Sequence, residues 1–346
     1  MAAALDVAFG LDTFGDVTVD TSGAPKPAGQ VIRDIVDQAV LADELGLDHF
    51  SLGEHHRDDF AVSAPDIVLA GIATRTSRMT LGTAVTVLST DDPVRVYERF
   101  ATLDGLSAGR AEITAGRGSF TESFDLFGYS LADYGVLFEE KLELLVQLLA
   151  GGAVTWSGQT RPALENVTLY PRTERGRIPL RVGVGGTPES VVRAARLDLP
   201  MALAIIGGDS ARFAPFADLY RRALTEYGHG QQALSIHSPG HIADSDDQAV
   251  EELWPHYEVM FGRIGRERGW PPRSHDSYLA EVREGALYVG SPETVAAKIA
   301  RTLRVLGGQR FDLKYSNGAL PHESLMRSIE LYATEVAPRV RALLAQ

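Results

Sequence analysis

Short apolar, β-branched runs recur along the chain, and almost every one is followed by a stretch whose apolar side chains return every three or four positions. Leu5 to Leu11 precedes a helical pattern from Ala28 to Gly46, with Val31, Ile35, Val36, Ala39, Val40 and Leu45 on one face. The same pairing repeats as Asp48–Gly53 with Pro65–Arg75, Met79–Leu88 with Pro93–Leu106, and Ala111–Gly116 with Tyr134–Leu149. It then lapses over Gly151 to Pro179, where turn residues surround two β-like pieces without a helical period, an excursion and not a linker. Alternation resumes with Leu180–Val184 and Pro188–Leu197, Met201–Ile206 and Ser210–Tyr227, and Leu234–Ile242 and Asp247–Arg268. After "RERGWPPRSHDSY" come a helical pattern in "GSPETVAAKIARTLRVL", a last strand "RFDLKYS" and a closing helix from Pro321 to Leu344.

Strands alternating with helices pair in parallel, and about eight such units close into a (β/α)8 TIM barrel. No composition break divides the chain, so one α/β domain over 1–346 is expected, with an insertion after the fourth unit and a lid-like loop, Gly262 to Ser277, after the seventh strand. An open doubly wound sheet is the alternative. In a barrel the chemistry sits on the loops after the strands.

Lys and Arg number 33 against 46 Asp and Glu, a formal charge of −13 that opposes phosphodiester chains and anionic lipid as partners. Without cysteine there are no disulfides, thiolate metal sites or cysteine nucleophiles, so redox chemistry requires a cofactor. "MAAALDVAFGL" lacks a basic leader and reads as a first strand, not a signal peptide; a cytoplasmic protein is expected.

Past the second strand lies "SLGEHHRDDF". Neighbouring side chains on extended backbone diverge, so His55 and His56 do not suit one ion together. Glu54 and His55 with the distant His237 and His241 could form a metal site of a barrel hydrolase; the other readings are a catalytic histidine and a packing one. "AGRGSF" sets Arg117 between glycines, a planar fork for phosphate. "VGVGGTPES" puts Gly185, Gly186, Thr187 and Ser190 at a helix start where free amides and hydroxyls suit a phosphate; it matches neither a Walker A loop nor G-x-G-x-x-G. "LGTAVTVLSTDDP" is small and apolar enough to admit a flat ring, and "AIIGGDSAR" is a flexible turn or a wall for one. In "GSPETVAAK" Ser291 reads as a helix cap, and "IADSDDQAVEE" as a solvated helix start with acids at the dipole.

"SLGEHH", "LGTAVTVLSTDDPVRVYERFATLDGLSAGR", "GRGSFTESFDLFG", "VGVGGTPES", "VGSPETVAAKI" and "LPHESLMRSIELYATEVAPRVR", in this order, resemble the bacterial luciferase-like flavin-dependent monooxygenases over nearly the whole chain. The resemblance implies reduced FMN, supplied by a separate flavin reductase, and oxygenation of a small organic substrate through a flavin hydroperoxide. It also implies a homodimer. By position it makes His55 the catalytic histidine, oriented by Glu54, and Ala84 and Val85 a cis-linked pair beneath the flavin. Arg117, Gly118 and Ser119 would form the phosphate loop, Gly185, Gly186, Thr187 and Ser190 its second segment, with Ala204 along the ring. Gly186, Ile205 and Gly116 stand where light-emitting members carry an acid, an indole and, in some, a cysteine, which argues against light emission from a long-chain aldehyde. A deazaflavin-dependent dehydrogenase shares the resemblance, and would need an extended basic groove.

Overall fold

The structure, a computed structural model, describes residues 7–118 and 120–346. Its strands are β1 (Ala8–Thr13), β2 (His49–Leu52), β3 (Thr80–Thr83), β4 (Thr86–Val87), β5 (Ile113–Gly116), β6 (Val154–Trp156), β7 (Leu164–Val167), β8 (Leu180–Val184), β9 (Met201–Ala204), β10 (Leu234–Ile242), β11 (Tyr288–Gly290) and β12 (Arg310–Lys314). All but β6 and β7 belong to one parallel sheet in the order β3, β2, β1, β12, β10, β9, β8, β5, β4, with β11 beside β10. Because β3 and β4 are separated by only two residues and Leu81 bridges to Ala111, the sheet returns on itself as a nearly closed barrel.

Alternation of strand and helix explains this closure. The crossover helices cover the outside, with Leu142, Leu145, Val191, Ile299 and Leu303 among the buried residues of their inner faces. The expected excursion contains β6 and β7 as an antiparallel pair. Ser291 accepts the Thr294 amide and caps its helix, and Asp246 and Asp247 occupy the first turn of the helix Asp246–Arg268, as the sequence predicts.

Two expectations need correction and one gains a detail. The stretch from Gly262 to Ser277 is mostly helical, since residues 262–268 complete Asp246–Arg268 and His275 opens a helix to Glu284. Gly269, at φ 68°, ends the first helix in the left-handed conformation, and Pro271 and Pro272 follow. The closing helix runs without a break from His322 to Leu344, as expected, with a π-helical turn over Tyr332–Val336 between its α-helical parts His322–Leu331 and Ala337–Leu344; Pro338, which has no amide hydrogen, stands just past that turn. A further short helix, Glu122–Phe127, lies in what reads as loop.

Charges fill the amino-terminal end of the barrel interior. Arg310 binds Glu112 (2.7 Å) and Asp312 (2.7 Å), and Arg181 binds Glu112 at 3.1 Å. Burial alone would raise Glu112, yet these cations hold it far below the usual carboxylate range; burial pushes His49 down to about 4. These ion pairs plug this end and form the floor of the barrel, so the open chemistry falls to the other end.

Candidate active site

At the carboxyl ends of the strands the barrel opens into a cavity of about 620 Å³. One wall is built from small residues. Between β3 and β4 the Ala84–Val85 peptide is cis, and both residues line the cavity. Val85 leans on two glycines: a Cβ on Gly116 would lie 2.5 Å from Val85 Cγ2, and one on Gly183 would lie 3.0 Å from Val85 Cγ1. Ala202 and Ala204 of β9 continue this wall.

His55 lies within a box of rings. It is 7 % exposed, with Phe14 at 5.1 Å, Phe60 at 4.4 Å and Phe120 at 4.7 Å between centroids. Its Nδ1 is 3.1 Å from Glu122 Oε1, so the imidazole donates there and Nε2 is left without a protein partner among the described residues. The family resemblance implies that Glu54 orients His55. Instead Glu54 reaches His56 Nε2 at 3.4 Å and is the main cause of a raised His56 pKa, because the two histidines diverge along extended backbone.

Glu122 is the residue the sequence reading missed. It stands five positions beyond Arg117, and only the short helix Glu122–Phe127 turns it back toward the loop after β2. Burial, the largest single influence, tends to raise Glu122, but the His55 hydrogen bond and charge and the backbone amides of Glu122 and His56 together outweigh it, and the net shift is downward from 4.5. A depressed carboxylate contributes fully above its unfolded value and is lost only as pH falls through the lower folded value, so the contact persists across the neutral range. Glu122→Ala is expected to lower turnover about tenfold and scramble the His55 tautomer, whereas Glu122→Gln, which keeps an acceptor, loses less. Imidazole ¹⁵N spectra check this, and one unchanged tautomer in Glu122→Ala would refute the role.

The third part of the site is cationic. Arg117 and Gly118 line the cavity at the end of β5; Ser119 lies outside the described residues. Arg117 donates to Ser190 Oγ at 3.0 Å and lies over the Tyr134 ring at 4.9 Å. It has no carboxylate partner among the described residues. Thr187 also donates to Ser190 Oγ, at 2.8 Å, which leaves the serine proton for another acceptor. Gly185 lines the cavity, and a Cβ there would meet only open space. Gly186, at φ 95°, Thr187 and Ser190 are not among the lining residues; Ser190 is tied to the lining by Arg117, and Thr187 by Ser190. The expected free amides are partly taken: Pro188 has none, and those of Ser190 and Val191 bond the Thr187 carbonyl. Cation and hydroxyls therefore carry the anion-binding character here.

The hydrolase metal site is not assembled. Among the described residues no three His, Asp or Glu side chains are grouped to hold an ion. His55 is on Glu122, Glu54 on His56, His237 on Asp12 at 2.7 Å, and His241, fully buried, on Glu252 at 2.8 Å. No described helix is long and apolar enough to cross a membrane.

The family model described as luciferase-like monooxygenase matches residues 12–310. Limonene 1,2-monooxygenase of Rhodococcus erythropolis is 33% identical over 95% of this chain and 87% of its own. The alkanal monooxygenase alpha chain of Photobacterium leiognathi is 25% identical over 91% and 96%. Among solved structures, monooxygenase RslO1 of Streptomyces bottropensis superposes with a TM-score of 0.82 at 26% identity, covering 96% of this chain and 99% of that one. The fold alone is shared with the FMN complex of the oxygenating constituent of Pseudomonas putida 3,6-diketocamphane monooxygenase (TM-score 0.78, 18% identity, 96% and 98% covered). It is likewise shared with the coenzyme F420-dependent tetrahydromethanopterin reductase of Methanopyrus kandleri (0.73, 20%, 96% and 99%).

Proposed function

From the premise that this chain belongs to the luciferase-like monooxygenase family and is an oxidoreductase of it, we propose that it uses reduced FMN and molecular oxygen to oxygenate a small organic substrate. The observation that carries this reading is Arg117: in a chain of net charge −13 its guanidinium lacks a carboxylate among the described residues, bonds Ser190, and borders a wall of small residues. A cation without a carboxylate beside two hydroxyls fits a phosphate, and a wall of small residues in which Val85 is seated against Gly116 and Gly183 fits a flat ring.

In this reading Arg117, Ser190 and Thr187 hold the phosphate and Ala84, Val85 and Ala204 support the ring. Bound in reduced form, FMN supplies the electrons that activate oxygen. His55 contributes the proton chemistry, since an imidazole with Nδ1 tied to a carboxylate presents Nε2 to give or take a proton. Phe14, Phe60 and Phe120 make the surroundings of this imidazole apolar and so limit the water around it. Delivery of reduced FMN by a separate reductase, and a homodimer, belong to the same proposal.

Anaerobic titration with reduced FMN, oxidised FMN and a deazaflavin coenzyme tests it. Reduced FMN is expected to bind preferentially, and admitting oxygen should then oxidise it. Tighter binding of the deazaflavin would replace monooxygenation with dehydrogenation, and no binding by any of the three would overturn the proposal.

A further inference from the structure

Ring contacts run unbroken along one side of the cavity. His237 stacks on Phe14 at 6.3 Å and 11°, Phe14 meets His55 edge-on, and His55 touches Phe60 and Phe120. The Arg268 guanidinium lies 5.0 Å over Phe120 and 5.1 Å over Trp270, and both rings line the cavity. This wall shares the cavity with the small-residue wall but has different chemistry.

His237 closes the deep end of the aromatic wall. Its Nδ1 donates to Asp12, and its Nε2 has no partner among the described residues, while 15% of the side chain is exposed in a cavity that it lines. Burial works to lower its pKa and is the largest influence, yet Asp12 and Asp312 outweigh it and the net shift is upward, which favours a donor at Nε2. Neighbouring charge is compensated: Lys314, 4.8 Å over Phe14, is paired with Asp16 at 3.2 Å.

We propose that this wall is the substrate subsite and that it takes a flat, ring-containing compound bearing a carbonyl oxygen. The ring lies against Phe14, Phe60 and Phe120, and the oxygen accepts a hydrogen bond from His237. Aromatic side chains reward stacked and edge-on rings with a geometry that a flexible alkyl chain does not exploit. A compound without the oxygen would cover His237 and leave a donor unpaired, which is the stronger source of selectivity. Calling the compound a substrate rests on the monooxygenase reading; the wall and its polar end do not.

Calorimetric titration of the protein, with and without FMN, against 1-tetralone, tetralin and decanal tests this. 1-Tetralone is expected to bind at least about tenfold more tightly than the other two. His237→Phe, which keeps a ring in place, should reduce 1-tetralone to the affinity of tetralin and leave tetralin unchanged. In the native protein 1-tetralone should also shift the His237 imidazole resonances. Decanal binding as tightly as 1-tetralone, or a 1-tetralone advantage that survives in His237→Phe, overturns the subsite. Selectivity for 1-tetralone without any FMN binding would refute the cofactor reading and support the subsite; FMN binding without that selectivity would do the reverse.

Discussion

Replacing His55 with alanine is expected to lower oxygenation by about 10²- to 10⁴-fold, the range typical of a lost general acid–base group, while FMN affinity changes by no more than about threefold. The large effect follows from how completely the site is arranged around one nitrogen. Three phenyl rings enclose the imidazole, Glu122 occupies Nδ1, and no protein group among those described stands at Nε2. The small effect on binding follows because Arg117, just past β5, and Ser190, in the first turn of the helix Pro188–Arg196, would hold the phosphate. His55→Gln, closer in size, separates a lost proton group from a lost volume. Product formation and flavin oxidation should be followed together, because a wet or ill-arranged pocket oxidises flavin without oxygenating substrate. Activity in His55→Ala within about tenfold of the native protein would remove His55 from the catalytic role.

Arg117→Ala is the second large effect, and it falls on binding. A charge-assisted hydrogen bond is worth about 1.5–3 kcal/mol, so reduced FMN should bind roughly 10- to 150-fold more weakly. Riboflavin, which has the same ring and no phosphate, is the control. Its affinity should hardly change, because the Ala84–Val85 wall does not depend on Arg117. Arg117 also covers the Tyr134 ring, so some packing is lost with it, and that loss should fall on both flavins alike. Equal weakening of FMN and riboflavin would show a packing defect and refute the phosphate role.

Much of the site was legible as a set of places. The strands that end at His55, Ala84, Arg117, Gly185 and Ala204 follow from alternation alone, and all five residues line one cavity. The ends of elements were less legible. The helices Glu122–Phe127 and His275–Glu284 are short, with Ser123 and Phe124 buried in the first and Tyr278 in the second, and neither runs long enough to repeat an amphipathic period. The stretch after the seventh strand reads as loop from its Gly, Pro and Arg content, but the break is confined to residues 269–274.

By itself the sequence determined the order of strands and helices, the parallel sheet that this order requires, and which loops carry the chemistry. These depend on local periodicity, which the chain records directly. Only the tertiary structure decided which carboxylate serves which imidazole. Glu54 adjoins His55 in the chain yet serves His56, whereas Glu122, 67 residues away, serves His55, and Asp12, 225 residues away, serves His237. A hydrogen bond is set by direction within about 3 Å. Direction between separate loops depends on how strand ends meet around a closing sheet, and no spacing along the chain records that.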